Sequence, residues 1–176
     1  HAQILSVDAA AASRAPGIAS VLVGADYKSD GLGPIPHIGP PVQRRGGGDV
    51  DAAPYYPLAI DHLRHVGEGV AFVLAETLEQ AKDAAELVVA SYRPLPAVTA
   101  TPEALETDCP TVWEGSPGNE VFVHEIGDRS KTDAAFSQAD HVVHRKLEIS
   151  RVLANSMEPR SCLARYDPRR RAYWLR

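Results

Sequence analysis

Histidine is the first residue type to test for chemistry, because four of the seven fall in pairs three apart, His62 with His65 and His141 with His144. On a helical turn that spacing sets two imidazoles on one face, as a zinc site requires. Neither pair fits. His141 and His144 lie in an alternating, extended pattern whose residues three apart point to opposite sides, and neither pair has an adjacent acid in metalloprotease position. No third and fourth ligand can be named, so a metal centre in this chain is set aside.

Other candidates reduce to structural duties. Arg44-Arg45-Gly46-Gly47-Gly48-Asp49 offers glycine amides and guanidinium charge to an anion, but it matches neither a P-loop nor a dinucleotide fingerprint and follows no strong strand. It reads as a loop tip. Asp128 and Asp133 bracket the start of a helical stretch, where carboxylates cap and solvate. Cys162 has no base near it in sequence and reads as a packed thiol. Glu68, at the entrance to an apolar run, is assigned turn or interface duty, since strand-entry carboxylates satisfy nearby backbone donors. The residues alone leave no complete catalytic set.

The elements that would position these groups follow from periodicity. Gln3 to Val7 alternates as a strand, Asp8 opens an alanine-rich helix to Arg14, and Pro16-Gly17 turns the chain into a second strand, Ile18 to Val23. From Ser29 to Pro57 glycine and proline dominate without a period, which predicts a long loop. Val70 to Ala75 is a continuous apolar run, which predicts a strand covered on both faces. Thr77 and Gln80 form a capping pair, Ala81, Ala84, Ala85 and Val88 continue at helical spacing, and Val88 to Tyr92 is extended. Prolines and acidic residues between Thr99 and Pro117 suit a linker, with a boundary near residue 110. Beyond it, Val121 to Ile126 and His141 to Ile149 alternate as strands, Thr132 to Ala139 is helical, and Leu163 to Tyr166 with Ala172 to Leu175 form a hairpin around Asp167-Pro168.

With 176 residues, 44% hydrophobic and 23% charged, the chain has the composition of a folded protein rather than a disordered tail. A net charge of -5 disfavours nucleic acid, and no apolar run approaches the roughly 20 residues of a membrane span. The start lacks the pattern of a signal peptide. Two cysteines, Cys109 and Cys162, are too few for a disulfide framework, so free thiols in a reducing, cytoplasmic setting are the expectation.

Three ordered segments resemble the large subunits of molybdenum hydroxylases, the xanthine dehydrogenase, aldehyde oxidase and carbon monoxide dehydrogenase family. The first is His1-Ala2-Gln3-Ile4 with Pro16-Gly17-Ile18 and Val23-Gly24-Ala25-Asp26. The second is Pro57-Leu58-Ala59, Val66-Gly67-Glu68-Gly69-Val70-Ala71, Ala75-Glu76-Thr77 and Tyr92-Arg93-Pro94-Leu95-Pro96. The third is Gly118-Asn119, Gly127-Asp128, Ala139-Asp140, Asn155-Ser156-Met157-Glu158-Pro159-Arg160 and Ala164-Arg165-Tyr166-Asp167.

The resemblance implies an α+β chain: an a/b hammerhead domain over 1–106, a linker over 107–118, and the first α/β unit of a molybdopterin-binding domain over 119–176. It also implies that the hammerhead's first strand precedes His1 and that the main cofactor-binding body, with its general-base glutamate, follows Arg176. The intact subunit would carry molybdenum on molybdopterin cytosine dinucleotide and hydroxylate a carbon with water-derived oxygen. Electrons would pass to a small [2Fe-2S] subunit and an FAD-binding medium subunit. An exposed strand edge could pair two copies. No catalytic residue is assigned within this chain. Ser150, Arg151, Glu158 and Arg160 are candidate positions beside the cofactor; Glu158 and Arg160 would form a buried ion pair or orient cofactor-facing backbone. Two departures stand out: Ser150 where relatives often have Gln, and Gly69 where they usually have Pro. The shorter Ser150 side chain supports an alternative, a non-catalytic assembly module that retains the hammerhead fold.

Overall fold

The computed structural model describes residues 1–36, 53–114, 117–147, 149, 157–158 and 161–176. Two units emerge, His1–Ile126 and Gly127–Arg176. The first begins with β1 (Ala2–Asp8), whose Asp8 Oδ1 accepts from the Ala10 amide at 2.9 Å and starts α1 (Ala10–Ser13). Gly17, at φ +76°, turns the chain into β2 (Ile18–Val23). The Gly24-Ala25-Asp26 run that follows β2 begins a helix not expected from the sequence, α2 (Gly24–Ser29), because the Asp26 carboxylate reaches back to the Val23 amide at 2.8 Å. A side chain at Gly24 would overlap the Ala59 carbonyl, so this residue is where α2 and the returning chain touch.

After an isolated bridge between Ile35 and Tyr55, the chain forms β3 (His62–Leu63), β4 (Ala71–Ala75), α3 (Leu78–Glu86) and β5 (Val89–Pro94). Helix α3 begins as expected. Thr77 Oγ1 accepts from the Gln80 amide at 3.2 Å and Gln80 Oε1 accepts from the Thr77 amide at 3.0 Å.

The strand, helix, strand succession is present, but β4 and β5 belong to different sheets. One sheet has the order β3-β1-β5 and the other is the β2-β4 pair, all neighbours antiparallel. The β1-β5 and β2-β4 pairings each slip once, past Leu5 in β1 and past Ala19 in β2, leaving one residue unpaired as in a bulge.

Helices α1 and α3 pack on each other and on the β2-β4 pair, with Ala12 and Ala84 fully buried. Methyl side chains permit that close approach. With Ala2, these are the buried apolar side chains among the described residues. Strand β4 is therefore not covered on both faces, contrary to the expectation from its continuous apolar run. Its alternate residues Phe72 and Leu74 are 56% and 51% exposed, because α3 covers one side of the pair and none of the described residues of this unit covers the other.

The remainder of the first unit has short 3₁₀ turns at Glu103–Leu105 and Pro117–Asn119. Val121 to Ile126, which alternates as a strand would, forms none, and residues 141–147 and 149 likewise carry no strand. Extended backbone becomes a strand only when a neighbour accepts and donates along it, and among the described residues no such neighbour pairs with these.

The second unit has α4 (Arg129–Gln138), started by Asp128, and the hairpin β6 (Ala164–Asp167) with β7 (Ala172–Leu175). Asp167 Oδ1 accepts from the amides of Arg169 and Arg170 at 2.9 and 3.2 Å, an aspartate turn as the sequence predicts. Among the described residues no helix is long and apolar enough to cross a membrane.

Candidate functional site

The one cluster in the first unit where charge, burial and aromatic surface meet was not singled out by the sequence reading. It begins where β3 ends. Glu68 Oε2 accepts from the amides of Arg64 and His65, and Gly67 at φ +95° lets the chain double back to place it there. That confirms turn duty for Glu68. The closed turn fixes the backbone of Arg64, whose guanidinium lies over the Trp113 ring, 3.5 Å from its centroid.

Arg64 Nε is buried and has no hydrogen-bond partner among the described residues. Burial pulls the guanidinium's pKa below its ordinary value, while Glu68, Glu114 and Asp61 pull it back up, so the group remains a cation. Two cavities of about 250 and 300 Å³ adjoin it, and Arg64 and His62 line both. His62 faces His1 with ring centroids 6.2 Å apart, and His65 Nδ1 contacts the Val66 carbonyl at 3.1 Å. The His62 and His65 pair is thus spent locally. Among the described residues no group of histidine, cysteine or acidic side chains could hold a metal ion.

A second local organiser is Asn119. At φ +54°, its side chain accepts from the Val112 amide at 2.9 Å and donates to the carbonyls of Ala104 and Pro110 at 3.0 Å each. The stretch read as a linker is shaped by these three bonds. A lone arginine, a tryptophan in a proline-rich stretch and one asparagine leave no periodic signal, which is why the first two went unnoticed; Asn119 appeared only as part of a resemblance.

In the second unit, Asp128 caps α4. Its Oδ1 accepts from the Lys131 amide at 3.0 Å, and this bond, then the nearby Lys131 ammonium, lowers its pKa. Asp133 pairs with Arg129 across one turn at 3.9 Å. Both are capping and surface groups, as read from the sequence. Of the four candidate cofactor positions, Ser150, Arg151 and Arg160 lie outside the described residues, as does the Arg44 to Asp49 glycine run. Glu158 is exposed beside an equally exposed Met157. Cys109 and Cys162 are both free thiols.

A pterin cofactor needs buried donors and a glycine-lined approach. Gly118 and Gly127 face open space, and no polar or charged residue in the described part is buried. By themselves the described residues therefore form no enclosed pocket for such a group.

Comparison with known proteins supplies what the geometry does not. Residues 1–96 match the family model described as "Aldehyde oxidase and xanthine dehydrogenase, a/b hammerhead domain". The chain belongs to the aldehyde oxidase and xanthine dehydrogenase family. Residues 112–175 match a second model, the molybdopterin cofactor-binding domain.

Among relatives of the family, the carbon monoxide dehydrogenase large chain of Afipia carboxidovorans is 34% identical over 95% of this chain and 21% of its own length. The nicotine 6-hydroxylase large subunit of Paenarthrobacter nicotinovorans is 33% identical over 95% of this chain and 19% of its own. The crystal structure of quinoline 2-oxidoreductase from Pseudomonas putida 86 superposes with a TM-score of 0.75 at 30% identity, covering 99% of this chain and 21% of that one. The chain spans about a fifth of the length of the relatives it matches. The α+β hammerhead architecture expected from the resemblance is the one this family shares.

Proposed function

We propose that this chain is the hammerhead and the opening of the cofactor-binding region of a molybdenum hydroxylase large subunit. The whole protein would hydroxylate a carbon centre of an aldehyde, an N-heterocycle or carbon monoxide with water-derived oxygen. The observation that carries this reading is the ordered pair of family matches, 1–96 and 112–175, on a chain with no catalytic set among its described residues. The intervening gap supports a layout of 1–106, a 107–118 linker and 119–176.

The proposed cofactor is molybdopterin in its cytosine dinucleotide form, with Ser150, Arg151, Glu158 and Arg160 near it in the whole subunit. The proposed partners are the remainder of the large subunit, an FAD-binding subunit and a [2Fe-2S] subunit, in the cytoplasm. The exposed Phe72, Leu74, Tyr173 and Trp174 support a large partner surface, since burying such side chains is worth about 1.5–3 kcal/mol each. The outer edge of β5, unpaired among the described residues, supports strand pairing with a second copy as a further contact.

The test is to purify the whole gene product with its native partners and measure molybdenum, the pterin nucleotide released by acid, and dye reduction with the three substrate classes. Stoichiometric molybdenum with cytidine nucleotide and turnover of one class is the expected result. A partner complex that retains the chain but lacks metal and pterin overturns the enzyme reading in favour of a non-catalytic assembly module.

A further inference from the structure

Segment 104–114 passes the end of the β3-β1-β5 sheet, yet among the described residues no hydrogen bond ties it to that sheet. The bonds from Asn119 reach Ala104, Pro110 and Val112, so they shape the segment without fastening it. Cavities of about 250 and 300 Å³ lie where the segment meets the end of β3, with Trp113 lining one and residues 110–112 and 114 lining the other. Across that junction the guanidinium of Arg64 lies on the face of Trp113, 3.5 Å from the ring centroid.

We propose that the Arg64–Trp113 stack is a latch that holds segment 104–114 closed against the β3 end of the sheet. The arginine side bears a cost that a merely adventitious surface contact would not keep. Its Nε is buried without an acceptor among the described residues, while Glu68 holds its backbone in a closed turn beneath it. The ring face supplies the compensating attraction, since a partly desolvated cation over an indole is stabilised by the ring quadrupole. Glu114, next to Trp113, and Asp61 and Glu68 on the sheet side surround the cation with negative charge and favour its charged state. Releasing the ring rehydrates Arg64 and frees the segment, so closure depends on both partners at once.

Hydrogen exchange of the backbone amides in 104–114, followed by mass spectrometry in the whole subunit as purified, tests this. Trp113→Ala and Arg64→Met are each expected to speed exchange there about tenfold, a typical effect for losing a partly buried cation–aromatic pair. The double variant is expected to exchange no faster than either single, because one latch cannot be opened twice. Trp113→Phe, which keeps an aromatic face, is expected to stay within about threefold of the parent. Unchanged exchange in both singles overturns the latch, and so does an additive double. Exchange over 78–86 serves as a control for folding: if Arg64→Met disturbs it too, the comparison of Trp113→Phe with Trp113→Ala decides, and equal rates in those two overturn the proposal.

Discussion

Replacing Gly17 with alanine tests how the first helix pair is joined to the capping of α3. Two costs add. Gly17 sits at φ +76°, where an L residue loses about 1–2 kcal/mol, and its new Cβ would lie well inside contact distance of the Gln80 carboxamide. Gln80 can move, since it is the end of a flexible side chain, but moving breaks the bond from the Thr77 amide to its Oε1 at 3.0 Å. That loss is worth about 0.5–1.5 kcal/mol. Gly17→Ala should therefore destabilise α3 by about 2–3 kcal/mol, and Gln80→Ala, which loses only the cap, by about 1 kcal/mol.

The two are coupled through the same bond. In the double variant the cap is already gone, so the total should equal that of Gly17→Ala alone. The assay is hydrogen exchange of the 78–86 amides at increasing denaturant in the intact subunit, which gives the local opening free energy. A double variant whose cost is the sum of the two singles, beyond the few tenths of a kcal/mol by which independent sites deviate, refutes the packing of Gln80 over Gly17.

Two further outcomes follow from the described contacts. Asn119→Ala removes three hydrogen bonds and a residue tolerant of φ +54°, so it should loosen 104–112 by about 2–3 kcal/mol. Limited proteolysis within that stretch reads it, and Asn119→Gly, which restores the backbone but not the bonds, should remain cleavable. For Asp128 the folded pKa is lowered by the Lys131 amide, so its charged cap stabilises α4 above the ordinary carboxylate value of 3.8 and is lost as pH falls through the lowered folded value. Asparagine also caps but does not titrate. The helical shifts of α4 in the parent and in Asp128→Asn should therefore differ at neutral pH and converge in acid; a constant gap across that range refutes the assignment.

Local chemistry was legible in the residues themselves. Thr77 with Gln80, Asp8 before an alanine run, Asp128 before a helix, and Asp167-Pro168 between two apolar runs all act over two to four positions, so neighbours in sequence suffice to define them. Strand partnership was not legible at that range. The apolar run of β4 reads alike whether one face or both are covered, and the two alternating stretches after residue 120 read as strands although none of the described residues pairs with them. Arg64 and Trp113 meet only because β3 and the segment after residue 103 come together, and nothing in either short stretch announces the other.

By itself, the amino-acid sequence determined the caps of α1, α3 and α4, the turn at Asp167, and, through the order and spacing of its motifs, the family and the hammerhead fold. It determined these because caps, turns and periodicity are interactions between near neighbours. Only the tertiary structure decided that β4 and β5 go to separate sheets, that Phe72 and Leu74 remain open, and that the half-buried guanidinium of Arg64 lies on an indole. Those outcomes depend on which surfaces approach across long loops, and residue types along a chain do not specify that approach until the whole chain has folded.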